Sequence, residues 1–322
     1  MRILMMAVND PAGTAIRFCR ALNAEGRHTC RLVTLETRYN HAWDKDLHLP
    51  DLDADGLDTV SDLLRTSDVY YFHMTLDESM PLGPFVPAEH LSGKAVVHHH
   101  HGHPDFRAHP EKYREKYRRL GRRNLLVSTP DLLRKLPEAK WQPNLVPVHD
   151  PAYCPDAVPS AFWDGALRLS HSPTRRDLKN TDELLTVVNN LNASGLPVEL
   201  DLIDNAPHAV CLERKRHAHV CFDHMQGYYG MSSLEALSLG RAVIAGLDDW
   251  NLATIRTFVG DAPLPWRIAR DTRELRQRLV ELAQDPALRR ETGATSRRFM
   301  VEHWSDTLCA RRLADFLDGV QG

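Results

Sequence analysis

The sequence predicts an α/β protein built from two parallel-sheet halves of similar size. Three observations lead there. Short apolar or β-branched runs alternate with helix-forming segments along most of the chain, the pattern of strands buried on both faces by helices. The alternation breaks once, where four prolines fall between Pro147 and Pro159, and then restarts. Each half also carries polar or glycine-bearing segments directly after its strands, where open parallel sheets bind ligands.

In the first half, "RILMMAV", "TCRLVTL", "DVYYFHM", "KAVVHHH" and "NLLVS" read as strands, and "NLVPV" (Asn144 to Val148) as a further one. "IRFCRALNAEG" has helical spacing and stops at Gly26, and "SDLLRT" is a short helix. The domain boundary is placed at residue 150. In the second half the strands are "ALRLSHS", "VELDLID", "HVCFD" and "RAVIAG", with helices between them. The tail from Thr272 to Val320 reads as two or three helices, with Leu275, Leu279 and Leu282 along one side of the first. The last helix is expected to pack back on the first domain, so the domains read as 1–150 and 151–322 with that exception.

Composition excludes several classes. The chain is 43% hydrophobic and 26% charged, which suits packed cores, and its net charge of −3 gives no general pull toward nucleic acid or anionic lipid. The six cysteines are scattered without a CxxC pair, which fits thiols in a reducing compartment. The apolar N-terminal run is a strand's length, too short for a signal or a membrane span. The expected location is cytoplasmic.

Four loops are candidates for chemistry. In "NDPAGTA", Gly13 precedes a helix and lets backbone N–H groups approach an anion; the plainer reading is a strand-to-helix turn. In "HHHHGHPDFR", alternation allows two or three of the histidines to share a side, with His99 and His101 pointing one way. No carboxylate or cysteine follows at a ligand spacing, so no metal site is expected. In "HSPTRRDLKNTD", Arg175, Arg176 and Lys179 lie between a strand and a helix and suit a diphosphate, or form an exposed basic turn. In "GYYGMSSLEALSLGRAVIA", Gly227 and Gly230 bracket a tight loop, and Glu235 lies one turn into the helix. A carboxylate there is favoured by the helix dipole, and it can also accept hydrogen bonds from a ribose diol.

These last two segments resemble retaining glycosyltransferases of the GT-B fold, family 4 type. "GYYGMSSLEALSLGRAVIA" is similar to the family's C-terminal signature and "HSPTRRDLKNTDELLTVVNNL" to its diphosphate loop and following helix. "VVHHHHGHPDFR", "VSTPDLLRKLPEAKWQPNLV" and "NDPAGTAIRFCRALNAEG" are similar, less specifically, to its first domain. The resemblance implies two Rossmann-like domains facing a cleft and transfer of a sugar from a nucleotide-diphosphate sugar with retention. It implies Arg176 and Lys179 at the diphosphate, Glu235 at the ribose, Gly13 against the phosphates and His101 near the reacting sugar carbon. His101, Arg176 and Lys179 are therefore the expected catalytic set. Gly13, Arg175, Gly227, Tyr228, Tyr229, Gly230 and Glu235 are the expected nucleotide-sugar binders. No metal or other cofactor is required on this reading.

The family has a pair of glutamates, and the position that corresponds to the first, which binds donor-sugar hydroxyls, is Gly227 here. Asn180 stands where a glycine is common. The alternative function is thus a non-catalytic relative that binds a nucleotide sugar or a glycan as a partner subunit; an epimerase or phosphorylase on the same fold is a third reading. The acceptor is a glycan, a lipid-linked molecule or a small molecule, and nucleic acid is not expected. "EKYREKYRRLGRR", Glu111 to Arg123, reads as a solvated basic helix or as a peripheral contact with the inner membrane face. Trp141, Trp163 and Trp250 are sugar platforms or core.

Overall fold

The structure, a computed structural model, describes residues 1–38 and 44–320. The chain divides into two compact units, Met1–Leu145 with Asp306–Gly322, and Val146–Ser305. The first unit therefore ends slightly before the expected boundary, and its last helix comes from the far end of the chain.

The first unit contains β1 (Arg2–Ala7), α1 (Thr14–Glu25), β2 (Thr29–Thr34), β3 (Leu47–His48), α2 (Ala54–Thr66), β4 (Val69–His73), β5 (Ala95–His100), α3 (Pro104–Ala108), α4 (Pro110–Arg119), β6 (Asn124–Val127) and β7 (Lys140–Trp141). Among the described residues its strands form one parallel sheet in the order β3-β2-β1-β4-β5-β6-β7. The order reverses direction between β1 and β4, the switch point at which such sheets open a crevice beyond their strand ends. Leu4, Met6, Val33, Tyr70, Phe72 and Val96 make one buried layer together with Val60 and Leu64 of α2.

Helix α2 starts earlier than "SDLLRT" suggests. Asp53 accepts a hydrogen bond from the Gly56 amide at 2.9 Å and caps it. "NLVPV" is not a strand. Pro143 just before it and Pro147 within it remove ladder donors, and only an isolated bridge between Val146 and Ser305 remains.

The second unit contains β8 (Leu167–His171), α5 (Thr181–Ala193), β9 (Val198–Leu202), α6 (His208–Arg216), β10 (Val220–Phe222), α7 (Met231–Ser238), β11 (Ala242–Ala245), α8 (Asp249–Val259), β12 (Trp266–Ile268), α9 (Thr272–Gln284) and α10 (Pro286–His303). Its parallel sheet runs β12-β11-β10-β8-β9, with the switch point between β8 and β10. Asp271 caps α9 and Asp285 caps α10, each accepting from the amide three residues on. Leu275, Leu279 and Leu282 are fully buried, and α9 packs on α5 as its apolar stripe requires.

Helix α11 (Asp306–Asp318) completes the first unit. It packs on α1, and Arg27 bridges to Asp315 at 2.8 Å and Asp318 at 2.6 Å. Trp141 and Trp163 are buried, while Trp250 is exposed. All six cysteines are free thiols. Among the described residues, no helix is long and apolar enough to cross a membrane.

Candidate functional site

In the second unit the expected binding segments meet at the switch point. β8 ends at His171, whose ring binds the Phe222 carbonyl through Nδ1 at 3.1 Å and the Thr181 hydroxyl through Nε2 at 2.9 Å. Burial pushes this imidazole down to about 4, so it is a neutral tie between the two central strands and the start of α5. The loop from Ser172 to Asn180 leaves from this anchor. Ser172 Oγ lies 2.9 Å from Ser232 Oγ in the first turn of α7, which joins the basic loop to the glycine loop.

Lys179 and Arg176 project from that loop. Lys179 Nζ is 3.6 Å from an oxygen of Asp223, and Arg176 pairs with Asp204 at 2.7 Å while remaining half exposed. Arg175 pairs with Asp177 on the surface. Asp223 was not anticipated, although it follows β10 at the switch point. It accepts from the Gly230 amide at 2.6 Å and from the Ser233 hydroxyl at 2.7 Å. Burial would raise its carboxyl pKa. The charges of His224 and Lys179 and the two hydrogen bonds outweigh that, and hold it well below the usual carboxylate range.

The glycines now have specific reasons. A Cβ on Gly230 would sit 3.1 Å from Asp223 Oδ1 and 3.3 Å from Lys179 Nζ, so its absence keeps this corner open. Gly227 has φ of +89°, a conformation that side chains disfavour, and its carbonyl accepts from Asp248 N at 2.8 Å. The missing glutamate thus coincides with a backbone turn that itself calls for glycine. Asn180 is left-handed as well, with φ of +53°, and its Oδ1 accepts from Met225 N at 2.8 Å. Asparagine tolerates that conformation, which accounts for its standing where glycine is common.

Glu235 differs most from expectation. The sequence reading offers its carboxylate to a ribose diol. The structure buries it, with Oε2 accepting from Lys215 Nζ at 2.9 Å and Oε1 against His208 Nε2 at 2.8 Å. Lys215 is itself 2% exposed. Burial would depress its ammonium pKa, but the attraction of Glu235 outweighs this and leaves it raised. The Tyr229 ring is buried against Trp266 and Trp304, so it is the backbone of Tyr229 that borders the glycine loop. Tyr228 is partly exposed and meets the His224 ring edge-on at 4.6 Å.

In the first unit, Gly13 does sit at the N-terminus of α1 with φ of +62°. The helix amides there are already engaged, however. Asp10, buried, accepts from Ala15 N at 3.1 Å and Ile16 N at 2.9 Å. Desolvation raises its pKa more than these bonds lower it. A carboxylate therefore occupies the place where the sequence suggests a bound anion.

The histidine run alternates as expected. His98 and His100 face α4: His98 lies 3.2 Å from Glu78, and His100 bonds Tyr117 Oη at 2.7 Å. His99 and His101 take the other side, with ring centroids 4.1 Å apart. β4 adds a third ring that the run alone could not reveal. His73 is the registered neighbour of His99, and its Nδ1 lies 2.9 Å from His101 Nε2. Burial pushes His101 down to about 4 and keeps all three imidazoles neutral at neutral pH.

The basic helix α4 is tied to acids: Lys112 to Asp105 at 3.1 Å, Lys116 to Asp77 at 2.9 Å and Arg114 to Glu138 at 2.8 Å. Tyr113 and Tyr117 are buried beneath it.

No protein-family model matches the sequence, and no curated protein matches it. Solved structures do. Sucrose-phosphate synthase from Thermosynechococcus elongatus superposes with a TM-score of 0.62 at 13% identity, over 99% of this chain and 98% of that one. HepE of Anabaena, solved with UDP, gives 0.64 at 10% identity over 99% and 100%. An alpha-glucosyltransferase solved with UDP-glucose and DNA containing an abasic site gives 0.66 at 12% identity over 99% of each chain. The two parallel-sheet units and their strand orders are those of the GT-B fold, and the chain has that fold.

Proposed function

We propose that this protein is a glycosyltransferase that takes a sugar from a nucleoside-diphosphate sugar and transfers it with retention to a glycan, lipid-linked or small-molecule acceptor. The observation that carries the proposal is the corner at the β8–β10 switch point. Lys179, Asp223, Gly230 and the first turn of α7 are held together there, with Arg176 on the same loop. Cleaving a sugar–phosphate bond builds negative charge on the departing diphosphate. Fixed cations and helix amides stabilise that charge without a divalent ion at the phosphates. Lys179 is pre-positioned by Asp223, and Arg176 can exchange its exposed partner Asp204 for a phosphate oxygen.

In this scheme Glu235 binds the ribose hydroxyls, and the Gly227–Gly230 backbone lies along the donor. His101 contacts the sugar, and the acceptor's proton leaves with the diphosphate. Uridine is the first base to test, because HepE and the alpha-glucosyltransferase were solved with UDP or UDP-glucose. Six free thiols fit a cytoplasmic setting. Nucleic acid is not the expected acceptor at a net charge of −3.

A second reading, a nucleotide-sugar or glycan-binding relative without activity, is favoured by Gly227. Its left-handed backbone holds no carboxylate for the donor sugar. Proton NMR of the protein with a series of nucleotide sugars separates the two. Appearance of nucleoside diphosphate with a sugar product of unchanged anomeric configuration supports transfer. Binding of the donor without any release, across a broad acceptor panel, supports the second reading.

A further inference from the structure

We propose that His73, His99 and His101 form a binding site for one divalent transition-metal ion of the zinc class. The three side chains each bring a ring nitrogen to within 4.8 Å of the other two. This convergence is built into the sheet. His99 and His101 share a face because side chains alternate along an extended strand, and parallel pairing sets His73 directly beside His99. His73 Nδ1 and His101 Nε2 are already 2.9 Å apart. Two nitrogens on one tetrahedral zinc ion, at about 2.0–2.1 Å each, lie roughly 3.3 Å from one another. That pair is therefore close to ligand spacing already, and the third nitrogen lies within 4.8 Å of both.

The surroundings suit an ion better than an isolated hydrogen-bonded cluster. His99 is 0% exposed, yet its Nε2 has no hydrogen-bond partner. A buried polar atom left so destabilises the fold unless something binds it. His99 Nδ1 lies 2.8 Å from Tyr71 Oη, a contact that fixes the ring and leaves Nε2 to coordinate. A metal-bound histidine commonly has such an outer partner. None of the three rings pairs with a carboxylate among the described residues. An all-imidazole set selects zinc, copper, nickel or cobalt over magnesium or calcium. His101 is only half-buried and provides the approach, and the remaining coordination position takes water or an anion.

If the chain is also the transferase proposed above, a bound ion takes one nitrogen of His101 and slows transfer. The binding test below stands whether or not that reading holds. The full chain, stripped with a chelator, is dialysed against micromolar zinc and its metal content measured, and the loaded protein is studied by X-ray absorption. The expected result is about one ion per chain with a nearest shell of imidazole nitrogen. Cobalt titration should show His73→Phe and His99→Phe each weakening binding by at least ~100-fold, since even outer partners are worth 10–100-fold. His217→Ala, at an exposed histidine just after α6, should leave binding unchanged. Less than ~0.1 ion per wild-type chain, a first shell containing sulfur or one imidazole, or undiminished binding in both phenylalanine variants would overturn the assignment. If a variant does not fold, the wild-type stoichiometry and absorption spectrum still decide.

Discussion

Replacing Glu235 by alanine should destabilise the second unit before it does anything else. The carboxylate is the partner of Lys215, whose ammonium is buried 2.9 Å away, and of His208 on the same helix α6. Breaking a buried pair from one side leaves the other charge without compensation, at a cost of about 3–5 kcal/mol. Lys215 can limit the damage by losing its proton, because Glu235 is the main group that holds its pKa up against burial. The sequence alone suggests weakened nucleotide binding with little change in fold; the packing predicts a large fall in stability. Replacing both members by apolar residues, Glu235→Leu with Lys215→Met, should recover most of that loss, since such swaps are often near neutral. The assay is urea unfolding followed by tryptophan fluorescence on the wild type, Glu235→Ala, Glu235→Leu, Lys215→Met and the Glu235→Leu/Lys215→Met double variant. A coupling energy of about 2 kcal/mol or more is expected from this cycle. A Glu235→Ala variant within about 0.5 kcal/mol of wild type, as for an exposed side chain, would refute the reasoning.

Asp223 should make stability fall on acidification. Its folded pKa lies below the unfolded value of about 3.9, so its contribution is complete above that pH and is lost as pH drops toward the folded value. The stability gap between wild type and Asp223→Asn should therefore be constant above about pH 5 and shrink steadily as pH falls from there to about pH 2. Arg176→Ala and Lys179→Ala should each weaken nucleoside-diphosphate binding by roughly tenfold or more, the scale of one charge-assisted hydrogen bond, with Arg176→Ala leaving the unfolding midpoint nearly unchanged. Gly227→Ala should cost about 1 kcal/mol through its positive φ, read as a shifted urea midpoint. Leu279→Ala, in the buried stripe of α9, should cost about 2–5 kcal/mol by the same measurement.

The fold was legible because parallel strands buried on both faces must be apolar runs, and "RILMMAV", "KAVVHHH" and "RAVIAG" are. Very short strands were not: β3 and β12 are too brief to show a period, and the start of α2 depends on a single capping aspartate. The cations of the Ser172–Asn180 loop and the loop glycines were visible as residue types at strand ends. Their partners were not, because pairing across a sheet joins distant residues. Lys215 and His208 reach Glu235 from a neighbouring helix, Asp223 reaches Lys179 from the next strand but one, and His73 meets His99 through strand register. Asp10 was quoted within its loop, but nothing in the sequence shows that its side chain turns back to cap α1.

The central claim is that the β8–β10 corner holds a nucleoside diphosphate, and a calorimetric titration tests it most directly. Wild-type protein in chelator-containing buffer is titrated with UDP, GDP, ADP and their sugar conjugates. Saturable binding of one diphosphate, tightened by one sugar and weakened by Lys179→Ala, is the predicted result. Absence of binding to every nucleotide, or binding indifferent to both Arg176→Ala and Lys179→Ala, would contradict it.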